Sequence, residues 1–185
     1  MGFRASTVFQ KSANFYWWGH GAPDNITSGG VLDPIEAKDI AKYLRNDVRI
    51  RKQAKTPYRL VILDGCDAYS SAWANAFGIT YTKRGSLETC VNYLHDGREP
   101  AAFVAWPCSI PAPKTDNVKG MEELRICLNR LFVSWQTGSK LIDIMKNYSQ
   151  GLQQGDASFT SDYDNNGKID IDEYRISGCF DLRRF

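Results

Sequence analysis

The sequence predicts an α/β fold built on a small, mostly parallel sheet, and three observations predict it. Leu60-Val61-Ile62-Leu63 is an unbroken apolar run, the pattern of a strand buried on both faces in the middle of a parallel sheet. Phe15-Tyr16-Trp17-Trp18 and Ala101 to Trp106 are two further short, bulky strands. Between the first two strands lies a helical pattern, and a right-handed β-α-β crossover keeps the strands it joins parallel.

Composition bounds the rest. The 185 residues suffice for one domain with a proper core, and 43% hydrophobic with 24% charged residues is ordinary for a globular chain. A net charge of +2 implies no polyanion partner, so nucleic acid is not expected. The basic run from Arg45 to Lys55 is broken by Asp47 and reads as a solvated helix end. No apolar stretch approaches the length of a membrane span, and the start MGFRASTVFQKSANF lacks the apolar core of a signal peptide. The five cysteines show no zinc-knuckle spacing. With Cys66 kept free for chemistry, the other four allow two disulfides or none.

Taken in order, the chain begins with a polar segment holding one short strand candidate, Thr7-Val8-Phe9. The aromatic strand of Phe15 to Trp18 then runs into Gly19-His20-Gly21. Few residues precede this strand, and an uncovered edge so rich in aromatics invites aggregation. Another segment, or the remainder of a longer chain, is expected to cover it. Ala22 to Leu32 is a Pro/Asn/Ser/Gly-rich loop beside His20, placed to line a site. Asp33-Pro34 reads as an N-cap with proline in the first turn, and Ile35, Ile40, Ala41 and Leu44 carry the helix to about Arg45. After Leu63 come Asp64-Gly65-Cys66, where the chain leaves the sheet. Small residues and serines follow, and a helix is expected just behind Cys66.

Ile79-Thr80-Tyr81 reads as a short strand and Leu87 to Leu94 as a short helix with His95 exposed at its end. Ala101 to Trp106 ends on the same rim if parallel. Ser109 to Asn117 is a proline-bearing loop placed to cover a site. Gly120 to Trp135 carries Leu124, Cys127, Leu128, Leu131 and Phe132 on one helical face. A second helix follows with Leu141, Ile142, Met145 and Tyr148.

Two ledges carry the candidate chemistry. Function in parallel sheets sits just past the carboxyl ends of strands. Adjacent parallel strands lie about 5 Å apart, so His20 and Cys66 come within reach of each other. A histidine that takes the proton of a thiol holds the thiolate as an ion pair, which makes the sulfur a nucleophile. A lone Cys66 would equally suit a small buried side chain, and His20 a turn histidine bonded to a carbonyl.

The segments FYWWGHG, LVILDGC and AAFVAW, in this order and with a helix between the first two, resemble the caspase-like cysteine peptidases of clan CD. The wording is closest to the gingipain-like and CHAT-like bacterial branch, and the likeness spans about Asn14 to Trp106. The resemblance implies a caspase-like three-layer sandwich, shortened at its N-terminus, over residues 1–150. It implies a cysteine endopeptidase with His20 and Cys66 as catalytic dyad, acting on a peptide or protein substrate. The backbone N–H groups of Gly21 and Cys66 would form the oxyanion hole, since developing negative charge needs donors already aimed at it. Asp64, two residues before the cysteine, would select Lys or Arg at the cleavage position by charge-assisted bonding. Asp67 is another candidate for that charge, and a turn-capping role for Asp64 stays open. Trp106 would wall the substrate pocket or fill the core, and Cys108 is a lesser rival nucleophile. A cysteine-using α/β-hydrolase is disfavoured, because Ala68 stands where that elbow needs glycine.

Residues 151–185 carry a separate signal. Asp162, Asp164, Asn166, Gly167, Ile169, Asp170 and Glu173 fit the EF-hand calcium loop at its key positions. Side-chain oxygens of Asp162, Asp164 and Asn166, the Lys168 carbonyl, Asp170 and a bidentate Glu173 would hold Ca²⁺. The irregular flanks resemble the dockerin-like calcium loops of bacterial surface proteins, which favours a structural ion and an extracellular or cell-surface setting. The rival function is an inactive caspase-like scaffold serving as a calcium-stabilised binding module.

Overall fold

A computed structural model describes residues 14–27, 33–46, 58–83, 86, 88–107, 118–145, 147 and 175–184. Its centre is a four-stranded sheet of β1 (Asn14–Trp18), β5 (Leu60–Asp64), β6 (Ala102–Ala105) and β7 (Arg175–Gly178), in the order β1-β5-β6-β7. The first three strands are parallel and β7 runs antiparallel against β6. The protein is therefore mixed α/β with a largely parallel sheet, as the unbroken apolar runs predict. All five residues of β5 and all four of β6 are buried, which is why neither strand alternates polar with apolar.

Each face of the sheet carries its own core. On one face Leu60, Ile62, Ala102, Val104 and Ile176 pack with Leu131 and Trp135 of α4 (Val118–Gln136) and with Leu141, Ile144 and Met145 of a further helical stretch at residues 141–145. On the other, Val61, Leu63, Phe103 and Ala105 meet Ile40 and Leu44 of α1 (Ala37–Asn46) and Trp73 of α2 (Ser71–Ala76). Odd and even positions of one strand thus serve opposite layers, the period-two consequence of a pleated backbone.

A second, three-stranded sheet of β2 (His20–Gly21), β3 (Asn25–Thr27) and β4 (Ile35–Glu36) stands just past β1. Here the structure differs from the sequence reading. Ile35 does not open a helix capped at Asp33; it pairs with Ile26, and α1 starts at Ala37. The first helical N–H finds its acceptor in the Asp24 carbonyl, at 2.7 Å, so the hairpin caps the helix. Ile79 to Tyr81 is not a strand either. Gly78 turns left-handed at φ 73 and Ile79 N–H bonds the Ala74 carbonyl at 2.9 Å, closing α2. The expected short helix is α3 (Cys90–His95), capped by Thr89, with His95 exposed at its end.

Arg175–Gly178, expected within the calcium-loop tail, supplies the edge strand of the main sheet. Thr7-Val8-Phe9, Cys108, the loop from Ser109 to Asn117 and the whole run from Asp162 to Glu173 lie outside the described residues. No helix among the described residues is long and apolar enough to cross a membrane.

Candidate active site

β1 and β5 pair in parallel from Asn14↔Leu60 to Trp18↔Asp64, so both chains leave the sheet at one rim. Gly19 N–H still bonds the Asp64 carbonyl at 3.3 Å, carrying the pairing one step beyond the strands. Past that point the two ledges interlock. A Cβ placed on Gly21 would stand 2.6 Å from the Cys66 carbonyl oxygen and 3.0 Å from the Cys66 nitrogen. One placed on Gly65 would stand 2.9 Å from the Gly19 oxygen and 3.1 Å from the Gly21 nitrogen. Only glycine at both positions allows main chain to lie on main chain this closely.

His20 is exposed and Cys66 half-buried. Both therefore stand at the surface of one rim, flanked by the backbone contact of Gly21 with Cys66. The next residue, Asp67, adopts a left-handed conformation at φ 53, uncommon outside glycine and costly enough to be held by its surroundings.

Those surroundings are a clamp between the two ledges. Ser70 caps α2, accepting from Trp73 N–H at 3.3 Å, and its hydroxyl donates to the Pro23 carbonyl. Trp73, wholly buried, donates its indole N–H to the Ala22 carbonyl at 3.1 Å. The segment that follows Cys66 thus grips the segment that follows His20. The helix itself begins at Ser71, not directly behind Cys66 as the sequence implies, because Asp67 to Tyr69 continue as irregular chain. Tyr69 N–H bonds the Trp106 carbonyl at 2.9 Å, and its hydroxyl joins the buried Ser177 hydroxyl of β7 at 2.7 Å and the Thr82 carbonyl at 2.6 Å.

Asp64 closes β5 and is 7% exposed. Its carboxylate accepts from Trp106 Nε1 at 2.8 Å and from the Tyr16 hydroxyl at 3.1 Å. It shares the sheet face of Leu60 and Ile62 and is held by Tyr16 of β1 and by Trp106, which follows β6. Burial, then the adjacent Asp64 charge and its hydrogen bond, push the Tyr16 hydroxyl far above the usual tyrosine range. The phenol therefore keeps its proton and remains a donor. Trp106 is 4% exposed, a core side chain that reaches the rim through Asp64.

The structure thus gathers His20, Gly21, Asp64, Cys66 and Trp106 at the carboxyl rim of β1, β5 and β6. Tyr16, Ser70 and Trp73 support them and were not singled out from the sequence. For Tyr16 a signal existed: in a parallel register it shares a face with a strand-end aspartate, and a buried carboxylate needs donors. Among the described residues no group of three or more His, Cys, Asp or Glu could hold a metal ion. Comparison with protein-family models, curated proteins and solved structures finds no match to this chain.

Proposed function

We propose that this protein is a cysteine endopeptidase of the caspase-like kind, with Cys66 as nucleophile and His20 as its base. One observation carries the reading: the main chain of Gly21 lies on that of Cys66, which puts a histidine and a partly accessible cysteine on neighbouring ledges of one rim. The parallel order of the histidine strand, the cysteine strand and β6, with helices on both faces, supports a caspase-like three-layer sandwich.

In this reading His20 takes the thiol proton and the Cys66 sulfur attacks the scissile carbonyl carbon. The N–H groups of Gly21 and Cys66 receive the negative charge that develops on the carbonyl oxygen. His20 returns its proton to the leaving amine as the C–N bond breaks. Water then hydrolyses the thioester, with His20 again taking a proton, and free Cys66 is restored. Asp64, poised by Trp106 and Tyr16, supplies a fixed negative charge for a Lys or Arg side chain of the substrate.

The loop from Asp162 to Glu173 is proposed to hold a structural Ca²⁺. Its donors are all oxygens, the set a hard dication requires, and Glu173 stands two residues before β7 in the chain.

The test is labelling with a Lys- or Arg-directed peptide bearing a thiol-reactive group. Wild type is expected to form an adduct on Cys66, while Cys66→Ala forms none and His20→Ala labels slowly. Absence of any Cys66-dependent adduct from a folded, calcium-loaded protein would favour the binding-module alternative.

A further inference from the structure

A second pair of reactive side chains lies at the other end of β6. Because β7 is antiparallel to β6, its last residue Gly178 pairs with Ala102, and Cys179 N–H bonds the Ala101 carbonyl at 2.8 Å. Cys179 therefore sits at the amino end of β6, away from the rim that carries His20 and Cys66. Beside it runs the start of α3. Phe180 N–H bonds the Glu88 carbonyl at 3.1 Å, and Cys90 N–H bonds Asp181 Oδ1 at 2.7 Å. These two bonds hold the segment from Glu88 to Cys90 flat against that from Cys179 to Asp181. Cys179 belongs to the apolar cluster on this face of the sheet, and Cys90 packs against the same cluster. Cys179 is wholly buried and Cys90 partly accessible.

We propose that Cys90 and Cys179 form a redox pair that closes to a disulfide by exchange with a small-molecule disulfide such as glutathione disulfide, fastening α3 to the residues that follow β7. Exposure assigns the order of events. The Cys90 thiolate attacks one sulfur of glutathione disulfide, forming a mixed disulfide and releasing one glutathione thiolate. The Cys179 thiolate then attacks the Cys90 sulfur of that mixed disulfide, closing the internal bond and releasing the second glutathione. Two protein thiols are oxidised and one external disulfide is reduced to two thiols. Burial raises Cys90 and pushes Cys179 up to about 12, so thiolate is scarce near neutral pH and closure is slow. Once made, the bond is shielded by the same burial. The closed form ties a helix at the middle of the chain to the residue that follows β7, a long loop of the kind that gains most from cross-linking.

The experiment compares the full chain incubated in a glutathione redox buffer with the chain kept in reductant. Free thiols are blocked in denaturant, and peptides are mapped by mass spectrometry without reduction. A peptide pair linked through Cys90 and Cys179 is expected, with the unfolding midpoint raised by roughly 5–10 °C over the reduced chain. Cys90→Ser should abolish both the linkage and the rise. Cys179→Ala empties a buried site and can fail to fold, so the half-buried Cys90 variant carries the test. Both thiols still free after oxidation, Cys90 stopped at the glutathione adduct, or linkage to Cys66, Cys108 or Cys127 would each overturn the proposal. The outcome is read apart from Cys66 labelling, so it stands or falls separately from the peptidase reading.

Discussion

Gly21→Ala is the sharpest perturbation of the candidate site. Gly21 has an ordinary backbone conformation, so alanine is not excluded by φ. The obstacle is space. The new methyl carbon would stand 2.6 Å from the Cys66 carbonyl oxygen, and ordinary contact begins at 3.4 Å. The two ledges must therefore part by about 0.8 Å, and both partners are main chain that cannot simply rotate away. Overpacking of this kind costs about 1–3 kcal/mol of stability. A displacement near 1 Å between reacting groups costs about 100-fold in rate. The assay is the second-order rate of Cys66 labelling by the basic peptide reagent, with thermal unfolding measured in parallel. Gly21→Ala is expected to stay folded and label about 100-fold more slowly. Gly97→Ala is the comparator. Its φ of +70 strains any side chain, yet nothing lies within 4 Å, so it should lose about 1 kcal/mol and keep the wild-type labelling rate. A folded Gly21→Ala protein that labels at the wild-type rate would refute the claim that contact between these ledges organises the chemistry.

Three further outcomes follow from the same geometry. Asp64→Asn should lower labelling by Lys- and Arg-directed peptides about 10- to 100-fold, the worth of a charge-assisted hydrogen bond, while a norleucine-directed peptide loses little; equal losses for both would remove Asp64 from specificity. The raised Tyr16 hydroxyl predicts alkaline sensitivity. Its contribution is complete below the ordinary tyrosine value of 10.0 and is lost as pH climbs through the higher folded value, because the unfolded chain releases that proton first. Unfolding midpoints measured above pH 10 should therefore fall less steeply in Tyr16→Phe than in wild type. Calcium at 100 times its dissociation constant should stabilise the chain by about 2.7 kcal/mol, read as a rise in melting temperature that chelation reverses and that Asp162→Ala with Glu173→Gln abolishes.

Much of this architecture is legible before any coordinates. Leu60 to Leu63 and Ala101 to Trp106 announce buried parallel strands because nothing polar interrupts them. The crossover rule then places His20 and Cys66 on one rim. What the sequence conceals is contact between residues distant along the chain. The pairing of Ile35 with Ile26 was invisible because an Asp-Pro followed by spaced apolar residues is also the signature of a helix start, and a hairpin partner decides between the two. The grip of Ser70 and Trp73 on the Ala22 and Pro23 carbonyls carries no local pattern, since any backbone carbonyl offers the same acceptor. Tyr16 looked like one aromatic among four until the register set it opposite Ile62, on the face that Asp64 shares. Arg175–Gly178 is a short, polar-ended strand next to a strong metal-loop motif, which drew the segment away from the sheet it completes.

That last strand bears on how the molecule is made. Synthesis is vectorial, and domains generally fold as units as they emerge. Here β6 leaves the ribosome tunnel long before residues 175–178, its partner on one side, have been translated. Through that interval the nascent polypeptide presents an apolar, half-paired ribbon to every other unfinished chain nearby. A stalled or prematurely terminated product lacking those four residues would be a natural client for chaperones and for degradation.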